Sequence, residues 1–109
     1  MIGDVCFMIH VIATIQLNEG CRDEFLDHFK ALVPLVLEEA GCMDYGPTID
    51  VPTTIPAQGP PRDDVVTVVE RWESTDALAD HLIAPHMNEY RTKVKGLVAG
   101  MTLQVLGPA

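Results

Sequence analysis

His81 and His86 stand five residues apart on either side of Pro85, and Tyr90 follows four residues after the second histidine. Just upstream runs Glu70-Arg71-Trp72-Glu73-Ser74, which holds the chain's single tryptophan; His10 and Tyr45 lie further back. Imidazole exchanges a proton near neutral pH. A phenol donates a hydrogen bond from an apolar body, and an indole offers a flat face. Gathering the aromatic and titratable side chains into one segment in this way points to a pocket. The same spacing argues against a metal. Five residues interrupted by proline is not the i, i+4 arrangement of helical zinc ligands, and no metal site is expected.

Each residue has a plainer reading beside the chemical one. Trp72 is either a wall on which an aromatic ring stacks or a core residue at a strand end. Glu70 shares the parity of Trp72 and points the same way. It is either a structural ion pair or a pocket group; if enclosed it needs a partner, such as Arg91. His81 either does chemistry or fixes the helix break, with the structural role favoured. His86 and Tyr90, at i and i+4, share a helix face and can help shape or close a pocket. His28 falls on the outer side of its helix. His10 shares the mixed face of the first strand with Met8 and Ile12. If that face is enclosed, His10 is the best-placed base and Met8 and Ile12 line the pocket with it. Tyr45 and Tyr90 are both candidates to donate to a substrate.

Periodicity supplies the elements that position these groups. Val5 to Leu17 alternates with period two and reads as a strand, one face apolar and the other mixed. Arg22 to Glu39 carries Phe25, Phe29, Leu32, Val33 and Val36 at helical spacing. Pro34 inside it predicts a kink or local break, and Gly41 its end. Cys42 to Val51 is a second strand. Residues 52–64 hold four prolines and form a long loop insertion. Val65 to Glu73 is a third strand, with both parities rich in Val, so the pattern leaves open which face meets the helices. Ser74 caps a helix that stops before Pro85. A second helix and a last strand, Met101 to Leu106, complete the chain. The order β-α-β-β-α-β, its second helix split, predicts an α+β, ferredoxin-like fold with a four-stranded antiparallel sheet. Helices cover one sheet face; the other, bearing Met8 and Ile12, needs cover, which predicts a homodimer.

Composition narrows the function classes. The 109 residues make one domain, 1–109, with 48% hydrophobic residues. Seven basic against sixteen acidic residues give a net charge of −9, which argues against nucleic acid and against an anionic membrane surface. Three cysteines without CxxC spacing fit reduced thiols in a cytoplasmic protein. The amino-terminal segment lacks a basic region and reads as strand, not signal peptide. No GxGxxG or P-loop is present.

The chain resembles the antibiotic biosynthesis monooxygenase family, in its quinol monooxygenase-like branch, a group of dimeric α+β barrel proteins. The resemblance rests on Asn18-Glu19-Gly20 and Asp23-Glu24-Phe25 after the opening strand, on Glu39-Ala40-Gly41-Cys42-Met43-Asp44-Tyr45, on Glu70 to Ser74 with Ala77-Leu78, and on His81-Leu82-Ile83-Ala84-Pro85-His86. It spans nearly the whole chain, except the Pro-rich loop, which is longer than the family's usual connection. It implies a small enzyme that oxidises a quinol- or anthrone-like aromatic with O2, using neither metal nor flavin. Other family members degrade haem, and a related branch acts as an isomerase. Haem degraders pair the strand Trp and a helix His with an Asn on the first strand; none lies between Val5 and Gln16 here. The Asn that anthrone oxygenases carry on the Trp72 strand is also missing, so the family stands and the substrate stays open. The sequence reading is therefore a cofactor-independent monooxygenase with His10 as base, Trp72 as stacking wall and His86 with Tyr90 as auxiliary groups. An isomerase acting through the same base, or a non-catalytic ligand-binding protein, are the competing readings.

Overall fold

The computed structural model describes residues 7–109, so the expected strand positions Val5 and Cys6 lie outside the described residues. Seven elements follow in order: β1 (Ile9–Leu17), α1 (Arg22–Leu37), β2 (Cys42–Thr48), β3 (Val65–Trp72), α2 (Thr75–Leu82), α3 (Pro85–Val94) and β4 (Val98–Leu106). The strands form one antiparallel sheet in the order β2-β3-β1-β4. This is the ferredoxin-like arrangement, in which each βαβ unit is split by a strand from the other.

The alternation in β1 decides the layering. Ile9, Val11, Ala13, Ile15 and Leu17 are buried under the helices, while His10 and Gln16 on the opposite parity are exposed. In β3 the register pairs Val11 with Glu70 and Ile9 with Trp72. The parity that composition left open is thereby settled: Val66, Val68, Glu70 and Trp72 face the helices, and Thr67, Val69 and Arg71 face away. Helix α1 lays Phe25, Phe29, Leu32 and Val36 on the sheet, one residue per turn along one stripe. The helix runs from Arg22 to Leu37 through Pro34, so of the expected kink or local break the break does not occur.

Gly41 lies beyond the helix end, at φ +83°, and a Cβ there would come within 2.6 Å of the Ala77 Cβ. Only glycine fits that backbone and that gap. The turn fixes how β2 begins: the Gly41 carbonyl accepts from the Glu73 amide at 2.8 Å. Strand β2 ends at Thr48, short of the expected Val51. Its Pro47 is tolerated because β2 is an edge strand. The long connection to β3 has no regular structure and is pinned at its base by the Arg62 guanidinium gripping the Asp50 carboxylate at 2.7 and 2.9 Å. That pairing holds the Asp50 carboxyl down at about 2.

The Ser74 hydroxyl accepts from the Ala77 amide at 3.1 Å and starts α2 as expected. Pro85 then opens α3 at its first turn, where a missing N–H costs nothing. Strand β4 begins at Val98, earlier than expected.

Candidate active site

A cavity of about 270 Å³ lies between the helix-facing side of the sheet and helices α2 and α3. Its walls are mostly apolar: Ala13, Ile15, Phe29, Val68, Met87 and Leu103 among them. This is close to the lower end of ligand pockets, roughly 300–1,000 Å³, and suits a compact aromatic. Exposed Met101 and Leu82 sit at its rim, as do the cationic Arg91 and Lys95. The polar groups reaching the interior are Tyr45, Glu70, His81 and Tyr90.

Tyr45 comes from β2 and Tyr90 from α3, and both pack on Phe29. Tyr45 stacks on it at 5.4 Å between ring centroids, and Tyr90 meets it edge-on at 5.7 Å. Burial pushes both phenols well above their usual range, so each hydroxyl keeps its proton and is a donor. Among the described residues neither hydroxyl has a protein hydrogen-bond partner, and none is a buried atom left unpaired.

Glu70 is 5% exposed, and its Oε1 accepts from the Trp72 indole Nε1 at 2.8 Å. Burial raises the Glu70 carboxyl from 4.5 to about 7; the indole bond works the other way, and the Glu39 charge adds a smaller push upward. The partner expected for it, Arg91, is engaged elsewhere, by the Leu82 carbonyl and Asn88 Oδ1.

Trp72 itself is fully buried and does not line the cavity. The expected stacking wall is corrected: the indole lies beneath the site, with its ring 4.7 Å from that of His81. It acts on the cavity through Glu70 and His81.

His81, in the last turn of α2, is 2% exposed and lines the cavity. Its Nδ1 lies 3.0 and 3.2 Å from the two oxygens of Glu39. A carboxylate can only accept, so it selects the tautomer with the proton on Nδ1 and leaves the Nε2 lone pair as the basic site. Burial lowers the proton affinity of this imidazole, and the Glu39 hydrogen bond and charge act against that. Burial thus favours the neutral ring, ready to accept a proton. His86 Nε2 approaches Glu39 Oε2 to 2.6 Å, and its side chain is 23% exposed on the outer side of the helices.

His10 takes no part in this cavity. With Ile12 it lies on the sheet face turned away from the helices, while Met8 precedes β1 and does not line the cavity. His10, expected as the base, therefore does not line this cavity, and the imidazole that does is His81; the pocket role expected for Met8 and Ile12 does not apply to this cavity either. His86 does not line the cavity; its Nε2 shares Glu39 Oε2 with His81 Nδ1. Tyr45, Tyr90 and Glu70, all candidates from the sequence, line the cavity. The residue that sequence reasoning missed is Glu39. It follows the end of α1, 42 residues from His81, and reads locally as an ordinary acidic residue near a helix terminus. The available signal was its place at the head of the Glu39-Ala40-Gly41 run.

The chain's relatives can be set against this geometry. The profile of the antibiotic biosynthesis monooxygenase family matches residues 8–93. The chain belongs to that family. It is 40% identical over 103 residues to a protein of Escherichia coli (strain K12) named "Probable quinol monooxygenase YgiN", covering 93% of this chain and 98% of that one. A solved structure of a conserved protein from Methanosarcina mazei Go1 superposes with a TM-score of 0.78 at 22% identity, covering 93% and 92% of the two chains. Rv0793 from Mycobacterium tuberculosis superposes with a TM-score of 0.75 at 25% identity, covering 94% and 96%. This quinol monooxygenase-like chain thus shares the fold of both. Among the described residues no group of three or more His, Cys, Asp or Glu is placed to hold a metal ion. No helix of the described residues is long and apolar enough to cross a membrane.

Proposed function

We propose that the protein is a cofactor-independent monooxygenase of a quinol-like aromatic. The observation that carries this is His81: an imidazole held through Nδ1 by Glu39, which favours a basic Nε2, in the lining of an apolar cavity that Tyr45 and Tyr90 also line. A hydroquinone in the cavity gives a phenolic proton to His81 Nε2. The phenolate passes one electron to O2, and the two radicals combine into a C–O bond at the neighbouring ring carbon. The peroxide takes up a proton, which His81 returns or the Glu70 carboxyl supplies. The ring carbon then loses its hydrogen as a proton, the C–H pair becomes the carbonyl bond, and the O–O bond breaks with the outer oxygen leaving as water. One hydroquinone and one O2 give one hydroxyquinone and one water. Tyr45 and Tyr90 donate to the developing oxyanions.

The relative's printed name points to the same substrate class. The test is O2 uptake by metal-free protein with reduced quinones and anthrones, each against its enzyme-free blank, with the oxygenated product identified. Excess uptake with one 18O atom from labelled O2 in the product supports the reading. Substrate rearrangement without O2 would make the protein an isomerase, and ligand-dependent melting without turnover a binding protein.

The functional unit is a homodimer in the cytoplasm. Its support is the sheet face away from the helices, where Ile12, Val69 and Leu106 lie with no element over them among the described residues. A second copy packed face to face buries them.

A further inference from the structure

Glu39 Oε2 lies within hydrogen-bond distance of two imidazoles at once, His81 on the cavity side and His86 on the outer side. The helix break makes this possible. Five residues on a continuous helix are turned about 140° apart; here α2 ends at Leu82 and α3 restarts at Pro85, so both rings converge on one carboxylate. Exposure is graded along the chain of contacts, with side chains at 2% for His81, 13% for Glu39 and 23% for His86. A purely structural tie between α1 and the helix break needs only one of these bonds.

We infer that Glu39 couples the two histidines so that they share a single positive charge, and that His86 exchanges with solvent the proton which His81 gains or loses in the cavity. This rests on the reading of His81 as the base. A substrate filling the cavity closes the Nε2 side of His81 to bulk water. When His81 Nε2 takes the substrate proton, the ring becomes cationic and pairs with Glu39; His86, no longer needed as the counter-charge, releases the proton on Nδ1 to water. When His81 returns its proton to the peroxide, His86 takes one back. The cluster of two imidazoles and one carboxylate stays neutral throughout, and no net charge accumulates in the low-dielectric interior. His86 and Glu39 are positioning residues in this scheme, since neither touches substrate.

Other charges face the cluster and set its background. Glu70, Tyr45 and Arg91 face His81 from β3, β2 and α3, and Cys42 stands near Glu39. Asp27 and His28 of α1 and Glu89 and Lys93 of α3 border the outer pocket of His86. None of them lies between the two rings and the Glu39 oxygen.

The decisive experiment combines a readout independent of turnover with one that depends on it. Imidazole 15N NMR titration of the full chain follows His81 and His86 separately. In His86→Gln, which alters a partly exposed side chain, removing the competing cation is expected to raise the His81 midpoint by about one pH unit, the size of interaction that couples two titrations. In Glu39→Gln the coupling disappears. A His81 midpoint unchanged in His86→Gln overturns the inference whether or not the protein turns over any quinol. Absence of O2 uptake in the wild type would instead sink the proposed reaction and leave the coupling to be decided by NMR. With turnover, His86→Ala in weak buffer is expected to lose about tenfold or more in kcat, within the range of assisted proton transfer. Added imidazole should restore it while leaving the wild type unaffected. A merely structural His86 gives no imidazole rescue, and that result also overturns the inference.

Discussion

The indole nitrogen of Trp72 donates to the carboxylate of Glu70 across two residues of one strand, at 2.8 Å and under the floor of the cavity. The bond places the chain's single tryptophan against a carboxyl raised to about 7, so that an optical probe sits on a titrating group. Emission from Trp72 is expected to change with pH around a midpoint near 7, and the transition should vanish in Glu70→Gln. A titration flat between pH 5 and 9 in the wild type would contradict the placement.

The same carboxyl makes stability depend on pH. The unfolded chain releases this proton near 4.5, and the folded chain holds it to about 7. Between these values the folded state binds more protons, so stability falls as pH rises and stays lower above the window. Glu70→Gln keeps an acceptor for the indole and removes the buried charge. Urea denaturation should find the variant equal to wild type at pH 4 and more stable at pH 8, by on the order of 2–3 kcal/mol.

His81→Gln removes the imidazole proposed as the base while retaining a polar side chain. Turnover is expected to drop about a hundredfold or more, with substrate affinity changed far less. His10→Ala, on the far side of the sheet, should keep the chemical step, and a His10 variant that lost it while His81→Gln did not would reverse the assignment.

Gly41→Ala tests the turn that carries the chain from Glu39 into β2. The new Cβ meets Ala77 at 2.6 Å on a backbone with φ +83°. Left-handed strain and overpacking together should cost about 2–4 kcal/mol in unfolding free energy. A neutral result in thermal and urea unfolding would show that α2 can shift away, which would also move His81.

Val69→Asp puts a charge on the uncovered sheet face without touching the cavity. Light scattering should give twice 11.9 kDa for the wild type and 11.9 kDa for the variant. Equal masses for the two would remove the support for a face-to-face dimer.

Much of the fold was legible because its signals are local. The Ser74 cap, the break at Pro85, the buried stripe of α1 and the alternation of β1 follow from contacts within a few residues. Pro34 does not break α1, because burial of Phe25, Phe29, Leu32 and Val36 holds the helix on the sheet on both sides of it. The facing of β3 was not legible, since valines on both parities carry no preference and only the register with β1 chooses.

The site divides along the same line. Sequence by itself determined the elements, their order, the family, and the gathering of Glu70, Trp72, His81, His86 and Tyr90 at the far end of β3 and the helices after it. It did so because periodicity, capping and proline breaks act over a few residues. Tertiary structure alone decided that His81 rather than His10 meets the cavity, that Trp72 supports the floor instead of forming a wall, and that Glu39 holds both helix histidines. Those facts depend on which sheet face the helices cover and on bringing together residues 42 and 47 positions apart. Such contacts form only when the chain closes on itself, and no local pattern encodes their geometry.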